Sequence, residues 1–141
     1  MGVKQISIFV ENKVGNLAAV AKIISEAGVS LASISLADTK DFGVLRLIVD
    51  DAYNAANALR DNDYIFAITP VIAVETDDAP GSLYKILTLF EENNINLEYL
   101  YDVSSGKKSN NAVLVFKVDN IDKVEELLKS NGVKLLNQED I

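Results

Sequence analysis

The strongest constraint on this chain is an internal duplication. When the sequence is aligned with itself at a shift of 66 residues (81 − 15), Gly15-Asn16-Leu17 falls on Gly81-Ser82-Leu83. The apolar pattern then stays in register without a gap, with Val20 on Ile86, Ile23 on Leu89, Ile24 on Phe90, Val29 on Ile95, Leu31 on Leu97 and Ile34 on Leu100. A repeat of this kind sets the number of folding units. We therefore predict two domains, at residues 1–69 and 70–141, which pack together because a unit of about 70 residues builds only a small core.

The composition excludes several kinds of chemistry. The 141 residues include no cysteine and no histidine, so thiolate nucleophiles, imidazole bases and Cys/His zinc sites are excluded. No acidic calcium-binding loop is present, and we expect neither a metal nor a cofactor. A formal net charge of −8 argues against nucleic acid as a partner. The apolar runs are too short to span a membrane and the first residues do not resemble a signal peptide, so we expect a cytoplasmic protein.

The hydrophobic periodicity of the first copy predicts six elements. Residues 3–10 alternate, which predicts a half-buried strand with Ile6, Ile8 and Val10 on one face and Gln5 and Ser7 on the other. Helix-spaced apolar residues follow Asn16, which we expect to cap the helix, and Gly28 ends it. Strands near 31–36 and 43–49, a helix capped by Asp50 or Asp51, and an extended stretch from about Tyr64 towards Glu75 complete the copy.

The second copy repeats this order. Ser82 is expected to cap its first helix, and Asn94 takes the place of Gly28 as the helix stop. Strands follow near 96–103 and 112–118, then a helix started by Asp119 or Asn120, and a short strand at 133–136. Each copy thus has the order βαββαβ, which predicts an α+β protein made of two ferredoxin-like sandwiches in tandem, each an antiparallel sheet with its helices on one face.

The strand-to-helix turn of each copy is the candidate binding site. A glycine at this point lets a ligand approach the backbone closely, and the helix start offers unpaired N–H groups and the positive end of the dipole. A carboxylate suits such a place. Ser30 and Asn96 occupy equivalent positions at the start of the next strand, and an asparagine amide can donate to a carboxylate and accept from an ammonium group. The same glycines could instead serve only to make the turn.

These residues resemble the ACT domain. The resemblance rests on residues 10–17 with Gly28-Val29-Ser30-Leu31, and on residues 78–83 with Asn94-Ile95-Asn96-Leu97, and it covers the whole chain as a tandem pair. It implies a ferredoxin-like fold and the binding of a free amino acid, as a regulatory ligand, at the seam between two ACT units. The site residues that it implies are Asn12, Val14, Gly15, Asn16, Leu17, Ser30, Asp78, Pro80, Gly81, Ser82, Leu83, Asn96 and Glu98.

The two implied sites are not equivalent. The family's loop asparagine falls on Asn12 in the first copy and on Asp78 in the second, and its strand-two asparagine, usually offered by the neighbouring unit, falls on Ser30 and Asn96. Val14 stands where the family favours proline. Asp78 would repel the carboxylate of a ligand and attract its amine. We therefore expect the turn of Asn12 and Gly15, facing Asn96, to be the dominant site.

Two other functions compete with amino-acid binding, since a fold alone does not decide function. The chain could be a structural or partner-binding protein without a ligand, or a small enzyme that relies on Asp, Glu, Lys and Tyr. Tyr99 and Tyr101 share a strand face and could form a ligand wall or pack in a core. Arg46, the one charge in an apolar strand, is expected on the open sheet face.

A homodimer is expected from the strand at residues 112–118. Val113 and Val115 alternate with Leu114 and Phe116, so both faces of this strand are apolar. The helices of a ferredoxin-like unit cover only one face of its sheet. We expect a second chain to cover the other face.

Overall fold

A computed structural model describes residues 2–11, 13–38, 42–103 and 111–141 of the chain. The elements that begin in the first copy are β1 (Val3–Glu11), α1 (Asn16–Glu26), β2 (Leu31–Asp38), β3 (Phe42–Val49), α2 (Ala52–Asp61) and β4 (Ile65–Asp77). Those that follow are α3 (Ser82–Glu92), β5 (Leu97–Val103), β6 (Asn111–Val118), α4 (Ile121–Ser130), β7 (Lys134–Leu136) and a 3₁₀ helix (Gln138–Asp140). Every predicted helix and strand is present, and within the described ranges the 3₁₀ helix is the one element that was not predicted.

The chain divides into two compact units. One comprises Lys4–Thr69, and the other comprises Pro70–Ile141 together with Gly2 and Val3. Gly2 lies against the second unit so closely that a Cβ atom on it would be 2.6 Å from the carbonyl oxygen of Val71. The division falls inside β4, whose residues before Pro70 belong to the first unit and whose later residues belong to the second. One strand thus ends one unit and begins the next, as the extended stretch from Tyr64 to Glu75 predicted.

Both units have the predicted fold. In the first unit the strand order is β2-β3-β1-β4, and in the second it is β5-β6-β4-β7. The pairs β1/β3 and β2/β3 are antiparallel, as are β4/β6, β4/β7 and β5/β6. Each unit is therefore a ferredoxin-like βαββαβ sandwich.

Each unit has its own core between the sheet and its two helices. In the first unit the core contains Ile6, Ile8, Val10, Val20, Ile24, Val29, Leu45, Leu47, Val49, Ala55 and Leu59. In the second it contains Ile72, Val74, Ile86, Phe90, Leu114, Phe116, Val118, Val124 and Leu128. The rings of Phe90 and Phe116 meet edge to face, with their centroids 5.5 Å apart. The apolar stripes of the helices and alternate strand residues thus form the cores that their periodicity predicted.

The prediction that β1 is only half buried is wrong. Gln5 is 0 % exposed and Ser7 is 8 % exposed, although both lie on the face of β1 opposite the helices. Their polarity is accommodated by hydrogen bonds, since Gln5 Nε2 donates to Ser7 Oγ at 3.0 Å and the hydroxyls of Ser7 and Thr69 are 3.1 Å apart. A buried polar side chain is tolerated when it is hydrogen-bonded. Arg46 lies opposite Ser7 in the β1/β3 register and is half-buried.

The burial of β6 does not support the reason for which a homodimer was expected. Val113 and Val115 face away from the helices of the second unit, yet they are 3 % and 0 % exposed in the single chain. Val71 and Ala73 of β4 are buried as well. The apolar character of these strands therefore does not by itself require a second copy.

Candidate ligand-binding turns

Two glycine turns have the same backbone conformation. Gly15 precedes α1 with φ 89° and ψ −13°, and Gly81 precedes α3 with φ 90° and ψ −8°. This left-handed conformation strongly favours glycine, because a Cβ atom would strain the backbone. Apart from the glycine and its two chain neighbours, no atom of the described residues lies within 4 Å of the place where a Cβ atom would stand on either glycine. The glycines therefore supply the backbone angle, and the space beside them is open.

The residues that were expected to cap α1 and α3 do not do so. The N-cap positions are held by Gly15 and Gly81, which have no side chain to accept a hydrogen bond. Asn16 instead donates from Nδ2 to the carbonyl oxygen of Glu11 at 2.8 Å, which ties the helix start back to the end of β1. Ser82 uses its backbone N–H to bind the carbonyl oxygen of Ala79 at 3.2 Å.

Among the hydrogen bonds of the described residues, the first turn of each of these helices leaves backbone donors for a ligand. In α1 the N–H of Asn16 binds Lys13 and that of Ala19 binds Gly15, both through carbonyl oxygens. The N–H groups between them, on Leu17 and Ala18, are those that an α-helix leaves without an intrahelical partner. In α3 the corresponding groups belong to Leu83 and Tyr84. Two adjacent N–H groups at a positive helix end suit a carboxylate.

The other two helices differ in this respect. The Asp51 side chain caps α2 by accepting from the N–H of Asn54 at 3.0 Å, and the Asn120 side chain caps α4 by accepting from the N–H of Lys123 at 3.2 Å. Each cap is one of the two candidates that the sequence offered, Asp51 rather than Asp50 and Asn120 rather than Asp119. The same chain thus caps two helices with its own side chains and begins the other two with a residue that has none.

The predicted site residues are mostly at the surface. Asn12 lies outside the described residues. Asn16 and Ser82 are half-buried, whereas the exposed members are Val14, Gly15, Leu17, Ser30, Asp78, Pro80, Gly81, Leu83, Asn96 and Glu98. Exposed backbone and side chains at both turns are accessible to a small ligand.

The structure does not bring the turn and the strand start of one unit together. Gly15 and Ser30 lie at opposite ends of α1, and Gly81 and Asn96 lie at opposite ends of α3. An 11-residue helix is about 16 Å long, which is far longer than a free amino acid. One free amino acid therefore cannot reach both groups of the same unit. Ser30 is itself held in place, since its N–H donates to Asp50 Oδ1 at 2.9 Å.

The second unit has a cleft at the start of α3 that sequence analysis missed. The cleft has a volume of about 540 Å³ and is lined by Glu75, Thr76, Asp77, Ser82, Lys85, Ile86, Leu89, Asn111, Asn131, Gly132, Val133 and Lys134. Lys134 pairs with Glu75 in the β4/β7 register, and its Nζ lies 2.7 Å from Glu75 Oε2. The hydrogen bond to Glu75 raises the pKa of Lys134 above its usual value, and the charge of Glu75 adds to this effect.

Both signs of charge therefore meet beside the second turn. The expected repulsion of a carboxylate by Asp78 is offset by two lysines, since Lys85 and Lys134 line the same cleft as Asp77. Lys85 is in the first turn of α3 and could have been noticed from the sequence. Lys134 is far away along the chain, and only the pairing of β7 with β4 places it here.

The aromatic pair of β5 lies on the sheet face away from the helices. The rings of Tyr99 and Tyr101 stack, with their centroids 6.5 Å apart and their planes inclined by 16°. Beside them, Lys117 Nζ lies 3.1 Å from Glu98 Oε2. Both tyrosines are half-buried. Glu98 is thus engaged in an ion pair with the neighbouring strand.

Within the described part of the chain, no helix is long and apolar enough to cross a membrane. No group of three acidic side chains that could hold a metal ion occurs among the same residues.

Comparison with known proteins identifies the family. The family described as the ACT domain pair matches residues 1–141. Protein BT0572 from Bacteroides thetaiotaomicron has a similar crystal structure, with a TM-score of 0.89 and 37 % sequence identity over 96 % of this chain and 92 % of the other.

Two more distant structures share the fold. The regulatory subunit of aspartate kinase from Thermus thermophilus, in a ligand-free form, has a TM-score of 0.66 and 16 % identity over 94 % of this chain and 92 % of that one. The corresponding subunit from Thermus flavus has a TM-score of 0.62 and 16 % identity over 89 % and 88 %. No curated protein matches the chain. The match over the full length shows that this chain belongs to the family of ACT domain pairs, a regulatory type of module.

Proposed function

We propose that the protein is a non-catalytic regulatory protein that binds a free amino acid at its glycine turns, at the seam between its two ACT units. The carboxylate binds the first-turn N–H groups of α1 or α3. The ammonium group binds a polar side chain from the start of β2 or β5 of another unit, with Ser30 and Asn96 as the candidates. An enzyme controlled by the bound ligand is the expected partner, and the cytoplasm is the expected location.

The observation that carries this proposal is the contrast between the helix starts. Helices α2 and α4 are capped by Asp51 and Asn120, whereas α1 and α3 begin at Gly15 and Gly81, which cannot cap. A side-chain cap at an exposed helix start contributes about 1 kcal/mol. An uncapped start that occurs at the equivalent turn of both copies fits an external carboxylate in the place of the missing cap.

The cleft beside Ser82 supports a zwitterionic ligand. Its lining combines Glu75 and Asp77 with Lys85 and Lys134, so groups of both charges are within reach of a small molecule. Opposite charges on one ligand can each find a partner there. A purely anionic or cationic ligand would meet like charges as well as opposite ones.

The test is a thermal-unfolding screen of the purified full chain against the twenty amino acids, followed by titration calorimetry with those that raise the melting temperature. At a concentration 100 times its dissociation constant, a ligand adds about 2.7 kcal/mol to the free energy of unfolding. Stabilisation by a few chemically related amino acids is the expected result. If none stabilises the protein and none produces heat at millimolar concentration, the chain is a partner-binding protein without an amino-acid ligand.

A further inference from the structure

We propose that the glycine turn of the second unit selects a dicarboxylic amino acid, aspartate or glutamate. The α-carboxylate binds at the start of α3, the side-chain carboxylate binds Lys85 in the adjoining cleft, and Asp77 provides a negative charge beside the ammonium group. This inference rests on the proposed function, since it names the class of amino acid that one of the two turns binds.

The cleft at this turn has the size of a small-molecule site. Its volume of about 540 Å³ lies within the range of pockets that bind small ligands. Ser82 and Lys85, both from the first turn of α3, form part of its lining, so the helix start borders the cleft. Ile86, Leu89 and Val133 add apolar groups to the lining. A ligand whose carboxylate is held at the helix start can therefore extend its side chain into the cleft.

Two of the charged groups that line the cleft neutralise each other. Lys134 Nζ lies 2.7 Å from Glu75 Oε2, and the side chain of Glu75 is only 15 % exposed. Among the described residues, no ion pair or hydrogen bond engages the side chain of Lys85 or that of Asp77. Both of these side chains are exposed and line the same cleft. Lys85 and Asp77 are therefore the charges that a ligand can use.

The charges left for a ligand match those of a dicarboxylic amino acid. The start of α3 carries the positive end of the helix dipole, and Lys85 adds a full positive charge in the same turn. Asp77 supplies one negative charge. Aspartate and glutamate have two carboxylates and one ammonium group, so each charge of the ligand has an opposite partner. A neutral amino acid would leave Lys85 unmatched, and a basic one would bring a second cation towards it.

Lys85 is also unfavourably placed for the helix that carries it. The positive end of a helix dipole disfavours a cation, and the first turn of α3 contains no acidic residue to compensate for it. Departures from such local rules occur mainly at functional sites. An anionic group bound between the helix start and Lys85 would remove the conflict.

The first copy lacks this arrangement. At a shift of 66 residues Lys85 corresponds to Ala19, and Asp77 corresponds to Glu11. The lysine beside the first turn is Lys13, whose Nζ lies 2.7 Å from Glu11 Oε2. The charges of both groups are therefore neutralised within the chain. The two turns should thus differ in the amino acid that they select, and the preference for an acidic side chain should belong to the second.

The experiment compares ligands that differ only in side-chain charge. Titration calorimetry at neutral pH measures the binding of aspartate, asparagine, glutamate, glutamine and lysine to the full chain. At least one acid should bind about 10-fold or more tightly than its amide, because a hydrogen bond between two charged groups is roughly twice as strong as one between neutral groups. Lys85→Met should abolish most of this preference, and Lys85→Arg, which keeps the charge, should retain it.

Lys13→Met is the matched control. It removes the lysine beside the first turn, which is already paired with Glu11, and it should leave the preference for the acid unchanged. Lys13 and Lys85 are both exposed, so circular dichroism and the melting curve without ligand should show that all three variants are folded.

The possible outcomes separate this inference from the proposed function. If amino acids bind but neither acid binds more tightly than its amide, the inference is overturned and the proposed function stands. The inference is also overturned if lysine binds more tightly than both acids, if Lys85→Met keeps the full preference, or if Lys13→Met loses it as strongly as Lys85→Met. If none of the twenty amino acids binds, the proposed function fails, and the inference fails with it.

Discussion

Strands β2 and β5 occupy the same place in two copies of one fold, and their inner partners are equally well buried. Leu47 lies opposite Ile34 in the first unit, and Phe116 lies opposite Leu100 in the second. The two edges differ in charge, because Ala32 and Leu36 correspond to Glu98 and Asp102. Divergence after duplication has thus kept the cores and changed the surfaces.

A second pair of matching positions shows the same pattern. In the second unit Glu75 of β4 forms an ion pair with Lys134 of β7. The shift between the copies is 66 residues up to β5 and 69 residues from β6 onwards, as the starts of β3 and β6 show (111 − 42). At the positions equivalent to Glu75 and Lys134 the first unit therefore has Phe9 in β1 (75 − 66) and Ile65 in β4 (134 − 69), which are 51 % and 72 % exposed. The first copy is therefore the more apolar of the two at its surface, and the second is the more polar.

The largest effect is expected in the cores, where the two copies should behave alike. Leu47→Ala should lower the free energy of unfolding by about 2–5 kcal/mol, and Phe116→Ala by about 3–5 kcal/mol, because each leaves a cavity at the centre of a buried sheet. Urea denaturation measures both. Tyr53→Ala, at an exposed helix position, is the control and should change stability by about 0.5 kcal/mol or less. A loss below about 1 kcal/mol for either core variant would show that its unit relaxes around the cavity.

A smaller effect is expected on ligand binding, where the residues before β2 and β5 should contribute unequally. Asn96→Ala should weaken binding of the amino acid found in the screen by roughly 1.5–3 kcal/mol, since a hydrogen bond to a charged group is lost. Ser30→Ala should cost less, because a hydroxyl offers one donor and an amide offers two as well as an acceptor. Calorimetry gives both numbers. Unchanged stability in urea is the control, as both side chains are exposed, and wild-type binding by Asn96→Ala would contradict the proposed site.

Removing the side chain that caps a helix should lower the free energy of unfolding by about 1 kcal/mol more than removing a side chain at an uncapped helix start. Asp51→Ala and Asn120→Ala remove side-chain caps of α2 and α4, and each should lower the free energy of unfolding by about 1 kcal/mol. Ser82→Ala removes no cap and should change stability by less than about 0.5 kcal/mol. Denaturation in the absence of ligand measures the difference. Equal losses at Ser82 and Asn120 would mean that α3 is capped after all.

The smallest effect concerns the ion pair of the second unit between the exposed Lys134 and the half-buried Glu75. The pKa of Lys134 is raised by its hydrogen bond to Glu75. A raised lysine pKa stabilises the fold fully below the ordinary value of 10.5, and this stabilisation is lost as the pH rises through the raised value. The difference in melting temperature between wild type and Lys134→Met should therefore be small, constant from neutral pH up to 10.5, and lower above it. Ile65→Met, at the matching position of the first unit, should show no such dependence on pH.

Much of the fold could be predicted from local patterns. Period-two and helical spacing predicted the strands and helices. Asn94, which corresponds to Gly28 of the first copy, was predicted to end its helix and has the left-handed conformation expected there, with φ 55°. The caps Asp51 and Asn120 were also predictable, because a cap is a contact between residues three apart. The same rule was wrong for Asn16 and Ser82, since the glycine before each of them has the N-cap position.

The burial of side chains on the sheet faces away from the helices could not be predicted from local patterns. Gln5 and Ser7 alternate with apolar residues and have the pattern of a solvent-facing strand side, but they are buried and hydrogen-bonded. Alternation distinguishes two faces of a strand, and it does not show what covers the polar one. The same limit applied to Val113 and Val115. They were expected to be buried by a second chain, and they are already buried in the single chain.

The sequence by itself determined the duplication, the order of elements and the two glycine turns, because these depend on residues close together along the chain. The tertiary structure decided which polar groups meet. Glu75 and Lys134 form an ion pair only because β7 returns beside β4, and Gly15 and Ser30 are kept apart by the length of α1. Spacing along the chain specifies local geometry, whereas the pairing of distant strands specifies the site.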